Sequence, residues 1–83
     1  MRHYLITFRT LTQAQRAARL LERAGFTVTI RRTPAALSVS GCGYAIALRK
    51  GVPEAARLLK ERGLWTGKLF RLEENGEYRE VLP

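Results

Sequence analysis

The chain has 83 residues, of which 46% are hydrophobic and 27% charged, and this composition predicts one folded domain over residues 1–83, with no repeat or low-complexity tract. One cysteine and one histidine exclude an internal disulfide and a zinc site with four such ligands, so we expect no structural metal. The net formal charge of +8 favours partners that are anions, such as nucleic acid, acidic proteins or small molecules.

A strand and a helix open the chain. Residues 3–9, HYLITFR, alternate with the period of a half-buried strand. Thr12 followed by Gln15 fits a capping box and predicts where the helix begins. Apolar residues then recur at helical spacing as far as Gly25, which suits the position after a helix end: Ala14, Ala17, Ala18, Leu21 and Ala24.

Two further strands flank a long connection. Residues 26–31 alternate between apolar and polar side chains, with Phe26, Val28 and Ile30 against Thr27, Thr29 and Arg31, which is typical of a strand, and Pro34 closes it. Residues 33–43 contain proline, serines and glycines and predict a loop. The alternation returns in residues 44–48, which predict the third strand.

A second helix is predicted to begin after Gly51, with Pro53 in its first turn, where a missing N–H costs nothing. Gly63 ends it. Its apolar stripe consists of Ala55, Leu58 and Leu59.

A β-hairpin completes the chain. Residues 64–72 have strand character, and residues 73–76, EENG, supply a turn into a last strand over residues 77–82. Asn75 and Gly76 both tolerate positive φ, which predicts a type I′ turn.

The order β-α-β-β-α-β with a C-terminal β-hairpin extension predicts an α+β, ferredoxin-like sandwich. Two helices would cover one face of an antiparallel sheet. The other face would be open, or covered by a second copy of the protein.

The lone cysteine, Cys42, is the main candidate for chemistry. A carrier cysteine reacts as a thiolate, must be accessible, and must have no neighbouring cysteine that would resolve a mixed disulfide or persulfide. Cys42 meets the last condition. Gly41 and Gly43 leave its flanks without side chains and allow backbone N–H groups to converge on an anion, so Ser40, Gly41 and Gly43 are expected to support the thiolate.

Four cations flank the strands that adjoin this connection and are candidates for stabilising the anion: Arg31, Arg32, Arg49 and Lys50. Each also fits an ordinary solvated charge. The alternative for Cys42 itself is a buried, inert thiol, because it shares the strand phase of Tyr44 and Ile46 and cysteine is among the most buried residue types.

The segment Ser40-Gly41-Cys42-Gly43 followed by YAIAL resembles a family of short bacterial proteins described as putative selenium or sulfur carrier-like proteins. The similarity runs from about residue 4 to residue 69 and includes the alanine-rich helix that ends in glycine. The family often carries a Pro-Arg-Glu run before the serines, whereas this chain has Pro34-Ala35-Ala36 and one extra residue before Cys42.

The resemblance implies that Cys42 holds sulfur or selenium as a persulfide or selenosulfide. A donor protein such as a cysteine desulfurase would supply the atom, and an acceptor of unknown identity would take it. The protein would then be a carrier or binding protein rather than a stand-alone enzyme.

Two other functions compete with this one. The β-α-β-β-α-β order and the basic charge also fit single-stranded RNA binding, although Cys42 and Ala47 stand where an RNA-recognition signature has aromatic residues. A dimeric regulatory module that binds an anion or a protein is the other alternative. Its homodimer contact would be the open face, lined by Leu5, Ala45, Ala47 and Trp65.

The sequence contains no stretch that approaches the ~20 apolar residues of a membrane span and no long apolar run of a secretory signal near its start. We therefore expect a cytoplasmic protein without membrane contact, in which a lone thiol stays reduced. A phosphate loop and a dinucleotide fingerprint are also missing from the sequence, so no cofactor is expected.

Overall fold

The protein has an α+β fold with two helices and five strands, seen in a computed structural model that describes residues 3–35, 37, 43–65 and 67–81. The predicted α+β class, with two helices and an antiparallel sheet, is therefore confirmed. The elements are β1 (Tyr4–Phe8), α1 (Leu11–Arg23), β2 (Thr29–Arg32), β3 (Tyr44–Leu48), α2 (Val52–Glu61), β4 (Leu69–Leu72) and β5 (Tyr78–Val81).

The five strands form one antiparallel sheet in the order β2-β3-β1-β4-β5. β1 and β3 lie at its centre, with Phe8 opposite Tyr44 at one end of the pair and Tyr4 opposite Leu48 at the other. On β2, Arg32 lies opposite the same Tyr44. The end of β1, the end of β2 and the start of β3 therefore meet at one end of the sheet.

The core lies between the helices and one face of the sheet. Alternation along β1 and β3 points every second side chain at the helices, and the stripes of α1 and α2 pack against them. Burying each large apolar side chain contributes roughly 1.5–3 kcal/mol. The most enclosed large members are Ile6, Phe8, Leu21, Ile46 and Leu59.

The other face of the sheet is closed at its centre, which corrects the expected open apolar surface. Leu5 and Ala45 are 2% and 0% exposed within the single chain, and Ala47 is half-buried. Trp65 packs against the core on the helix side, where the ammonium of Lys60 lies 5.5 Å from the ring centroid. Leu5 and Ala45 are therefore not exposed to a second copy in the single chain, whereas the homodimer itself stays a prediction.

Helix α1 begins two residues earlier than predicted. Thr10 is the N-cap, and its Oγ1 accepts a hydrogen bond from the backbone N–H of Gln13 at 3.1 Å, so Thr12 lies inside the first turn. Ala24, predicted on the apolar stripe, is the exposed C-cap residue.

Strand β2 is shorter than predicted, because it begins only at Thr29. Phe26 and Val28 do pack against the core, but they do so before the strand pairing starts. The alternating pattern therefore predicted correctly that Phe26 and Val28 are partly buried, but it predicted incorrectly that they pair with a neighbouring strand.

Strand β4 covers only the last four residues of the predicted 64–72. Just before it, the hydroxyl of Thr7 accepts from the backbone N–H of Lys68 at 2.9 Å, in place of a regular ladder bond. Gly67 lies so close to β1 that an added Cβ would overlap the carbonyl oxygen of Thr7. This close approach delays the start of the regular strand.

The hairpin turn is not the predicted type I′. Gly76 has φ +86°, but no other residue type in the described part of the chain has positive φ, so Asn75 does not. The N–H of Gly76 instead bonds the carbonyl of Glu73 at 3.0 Å, and the side chain of Asn75 accepts from the N–H of Glu77 at 3.0 Å. This is a three-residue loop with one left-handed glycine. The predicted end of the last strand, at Leu82, lies outside the described residues.

Candidate functional site

Cys42 and two of its predicted supporting residues, Ser40 and Gly41, lie outside the described residues. Gly43, the next residue in the sequence, belongs to the described part and precedes β3 directly. The surroundings of Gly43 are therefore the structural context of the predicted site.

Gly43 continues the pairing of β2 with β3 by one residue. Its carbonyl oxygen accepts a hydrogen bond from the backbone N–H of Thr33 at 3.1 Å, next to the Arg32 and Tyr44 pair. Gly43 does not have positive φ, and among the described residues a Cβ placed on it would meet only the carbonyl oxygen of Arg9, at 3.9 Å. The described part of the fold therefore does not require glycine at this position.

A cation is held over an aromatic ring at this end of the sheet. The guanidinium carbon of Arg32 lies 5.8 Å from the centroid of the Tyr44 ring, within the range of a cation–π contact. Such contacts contribute ~0.5–1 kcal/mol at exposed sites. Arg32, one of the four predicted cations, thus has a defined position one residue from Gly43 along the ladder.

Arg9 is a neighbour of Gly43 that the sequence analysis did not identify. It follows Phe8, and the pairing of Phe8 with Tyr44 brings the end of β1 next to the residue before β3. The signal was present only indirectly, because it depends on knowing that the first and third strands pair antiparallel in this register.

Thr33 adds a polar group with unused bonding capacity. Its Oγ1 is buried and has no hydrogen-bond partner in the described part of the chain. Because a buried hydroxyl without a partner costs free energy, this atom is available to a group that comes close to the Gly43 end of the sheet.

The other predicted cations do not surround Gly43. Arg31 lies opposite Ala45 and therefore on the helix-free face, whereas Arg32 is on the helix side. Arg49 and Lys50 follow the far end of β3, six and seven residues from Gly43. At ~3.3 Å per strand residue this is a separation of ~20 Å, more than twice the ~8 Å screening length at physiological salt.

Arg31, Arg49 and Lys50 instead line a common cleft of about 730 Å³. The cleft runs beside β2 from Thr29 to Arg31, passes the far end of β3, and reaches the residue before α2, Gly51. His3 and Phe26 also contribute to its walls. Sequence analysis did not predict this cleft, since its residues come from three separate stretches of the chain, at His3, 25–31 and 47–51.

The glutamates at the C-terminal hairpin are used in ion pairs. Glu73 accepts hydrogen bonds from Nε and Nη2 of Arg71 at 3.3 and 2.9 Å, and Nε of Arg79 lies 3.5 Å from the same oxygen. The hydrogen bond with Glu73 is the main cause that raises the pKa of Arg71 above its ordinary value. Lys68 pairs with Glu80 at 3.6 Å. These contacts neutralise the carboxylates locally.

Neither a metal-binding cluster nor a membrane-spanning helix is found among the described residues. Residues 3–35, 37, 43–65 and 67–81 contain no group of three or more His, Cys, Asp or Glu side chains that could hold a metal ion. Neither α1 nor α2, the helices in that part of the chain, has the length and apolar character needed to cross a membrane.

A comparison with known protein families matches residues 3–71 to the family described as Putative Se/S carrier protein-like. The match covers the first three strands, both helices, all but the last residue of β4, and the whole connection that contains Cys42. Neither the curated proteins nor the solved structures contain a match to this chain. The family match spans well over half of the sequence, and the chain therefore belongs to the Putative Se/S carrier protein-like family.

Proposed function

We propose that the protein carries sulfur or selenium on Cys42 and passes it from a donor protein to an acceptor. The observation that carries the proposal is the family match over residues 3–71, which includes Ser40-Gly41-Cys42-Gly43. The chain has no second cysteine that could displace the carried atom, so a terminal persulfide on Cys42 would persist until an acceptor arrives.

Loading is a thiol exchange without net oxidation. The Cys42 thiolate attacks the outer sulfur of a donor persulfide, such as that of a cysteine desulfurase. The donor S–S bond breaks, the donor cysteine leaves as a thiolate, and a new S–S bond joins the transferred sulfur to Cys42. Unloading repeats the step, with an acceptor nucleophile attacking the outer sulfur and Cys42 leaving as thiolate. Selenium follows the same electron count through an S–Se bond.

The residues near Gly43 support this chemistry electrostatically. A thiolate is favoured where cations are close, and the guanidinium of Arg32, over the Tyr44 ring, lies at this end of the sheet. The buried Oγ1 of Thr33 supplies a possible hydrogen-bond donor to an anion. We assign Ser40, Gly41 and Gly43 to the loop that supports the thiolate.

The net charge of +8 supports acidic donor and acceptor proteins as partners. Before loading, Cys42 has to be a free thiol that is not in a disulfide with another protein, which supports a location in the reducing cytoplasm. In this proposal the protein is a carrier, and the bond-making enzymes are its partners.

The geometry favours the carrier function over RNA binding. Stacking of bases needs exposed aromatic side chains on the central strands. On the helix-free face the central positions are occupied by Leu5, Thr7 and Ala45, which are buried and not aromatic.

We also infer the ferredoxin-like arrangement as the framework of the site. The order β2-β3-β1-β4, with both helices packed into one core, supports it, and β5 is an added edge strand. In this framework the connection between β2 and β3 presents Cys42 at the end of a central strand.

Intact-mass measurement tests the function. The reduced protein is incubated with a cysteine desulfurase and cysteine, and we expect a gain of one sulfur atom that a reducing agent removes. Cys42→Ser should gain nothing. An adduct that persists in Cys42→Ser, or no adduct on the native chain, would overturn the proposal.

Accessibility of the thiol provides a second measurement. A small alkylating reagent should modify Cys42 in the native protein at a rate similar to that in urea. Modification that occurs only after unfolding would show that the thiol is buried and inert.

A further inference from the structure

A second feature of the molecule has the properties of a ligand site. It is the cleft of about 730 Å³ that runs beside β2 from Thr29 to Arg31 and past the far end of β3. This volume lies within the ~300–1,000 Å³ typical of small-molecule sites. A site of this size accommodates more than an isolated inorganic ion.

The cleft is lined by positive charges, and none of its described lining residues is a carboxylate that would neutralise them. Arg31, Arg49 and Lys50 line it, and no carboxylate is among its lining residues. In the described part of the chain the ion pairs belong to other cations, at the C-terminal hairpin and next to β4. The three charges in the cleft are therefore available to an anion, and two of them are guanidinium groups, which bind phosphate oxygens in a bidentate manner.

The remaining walls are suited to the uncharged part of such a ligand. Phe26 is half-buried and lines the cleft together with Ala47 and Leu48, which provide apolar contact. Thr29 offers a hydroxyl group that can donate to or accept from a polar group. Charged and apolar walls in one cleft are typical of sites for small organic anions.

We propose that this cleft binds a small phosphorylated molecule, with its phosphate held by Arg31, Arg49 and Lys50. The inference does not depend on the chemistry proposed for Cys42, since Arg49 and Lys50 follow the far end of β3 and Arg31 lies on the helix-free face, opposite Ala45. It also gives the three cations a role other than stabilising the thiolate.

The test is a titration of the native protein with inorganic pyrophosphate at constant ionic strength, followed by backbone amide NMR. No sulfur donor is present, so the outcome does not depend on Cys42. We expect saturable shifts at the amides of Thr29, Ala47 and Gly51, complete by about 10 mM. No saturable shift in that range, or shifts centred elsewhere, would overturn the proposal.

Matched variants separate the cleft from the overall charge. The double variant Arg49→Gln and Lys50→Gln should weaken pyrophosphate binding by about tenfold or more, because it removes two charge-assisted contacts. The control Arg16→Gln and Arg19→Gln removes the same charge from the exposed surface of α1 and should change binding by less than about twofold. Equal weakening in both would mean that only net charge matters, and the cleft would not be a site.

A third arm distinguishes a small phosphorylated ligand from the phosphate backbone of nucleic acid. Adenosine monophosphate should compete with pyrophosphate and adenosine should not. A single-stranded oligonucleotide should bind with no preference for the native protein over the control variant. If the oligonucleotide binds more tightly than the small phosphates and both double variants weaken it equally, the surface recognises nucleic acid and the small-molecule proposal is wrong.

Discussion

Thr7 and Lys68 are joined by three hydrogen bonds where β1 meets the segment that leads into β4. The backbone N–H of Thr7 donates to the carbonyl of Lys68 at 2.9 Å, and the Thr7 hydroxyl donates to the same oxygen at 3.3 Å while accepting from the N–H of Lys68 at 2.9 Å. Thr7 is 1% exposed. A buried polar side chain thus replaces a ladder bond that the strand cannot make there.

Thr7→Val tests this replacement. The change keeps the shape of the side chain but leaves the partly buried N–H of Lys68 without its acceptor, so we expect a loss of about 1–3 kcal/mol in the free energy of unfolding. Thr29→Val, on exposed β2, should stay within about 0.5 kcal/mol of the native value. Urea denaturation measures both, and equal losses would contradict a special role for the Thr7 hydroxyl.

Gly67 and Gly43 should respond oppositely to alanine. Gly67→Ala would drive a methyl group into the carbonyl of Thr7, and we expect it to cost about 3 kcal/mol or more. Within the part of the chain that the structure describes, Gly43→Ala meets only the carbonyl of Arg9, at 3.9 Å, and should be within about 0.5 kcal/mol of the native protein or slightly more stable. Thermal unfolding of the two variants distinguishes them, and a strongly destabilised Gly43→Ala would mean that the site glycine is structural.

The position of the helix cap gives a direct comparison between two threonines. Thr10→Ala removes the oxygen that accepts from Gln13 N–H and should cost ~1 kcal/mol. Thr12→Ala lies inside the first turn, where alanine is the better helix former, and should be neutral or stabilising by up to about 0.5 kcal/mol. If Thr12→Ala had a lower urea midpoint than Thr10→Ala, Thr12 and not Thr10 would be the N-cap.

The geometry of the hairpin loop predicts that alanine substitutions at Asn75 and Gly76 reduce the free energy of unfolding by different amounts. Gly76→Ala places a Cβ at φ +86° and should cost ~1–2 kcal/mol. Asn75→Ala loses only its side-chain bond with the N–H of Glu77, so it should cost ~0.5–1 kcal/mol. In a type I′ turn both residues would be left-handed. Similar losses of 1–2 kcal/mol for the two variants, measured by denaturation, would therefore favour that turn.

The sequence predicted best where one local pattern had one interpretation. Residues 44–48 have an alternating pattern of large and small apolar side chains. Gly43 precedes this stretch and two basic residues follow it, and β3 has the predicted bounds. Thr10 and Thr12 show the limit of this approach. Both are followed three residues later by glutamine, so both fit a capping box, and the choice between them depends on how the chain leaves β1.

Features that depend on strand pairing could not be predicted from the sequence. The contact of Gly67 with Thr7 and the proximity of Arg9 to Gly43 both require the register of β1 with its neighbours. The cleft brings Arg31 to Arg49, which are eighteen residues apart in the chain. At the candidate site, the family was identifiable from the cysteine motif, whereas the state of Cys42 remains a prediction.

The order of the strands also leaves β2 with one unpaired side. An exposed edge strand is a common site of aggregation, since another chain can form hydrogen bonds with its unpaired N–H and C=O groups. Two of the four residues of β2 are arginines and both are exposed, so an approaching copy would have to bring its own Arg31 and Arg32 against these like charges. The two arginines of β2 therefore disfavour the pairing of this edge strand with a second copy of the chain.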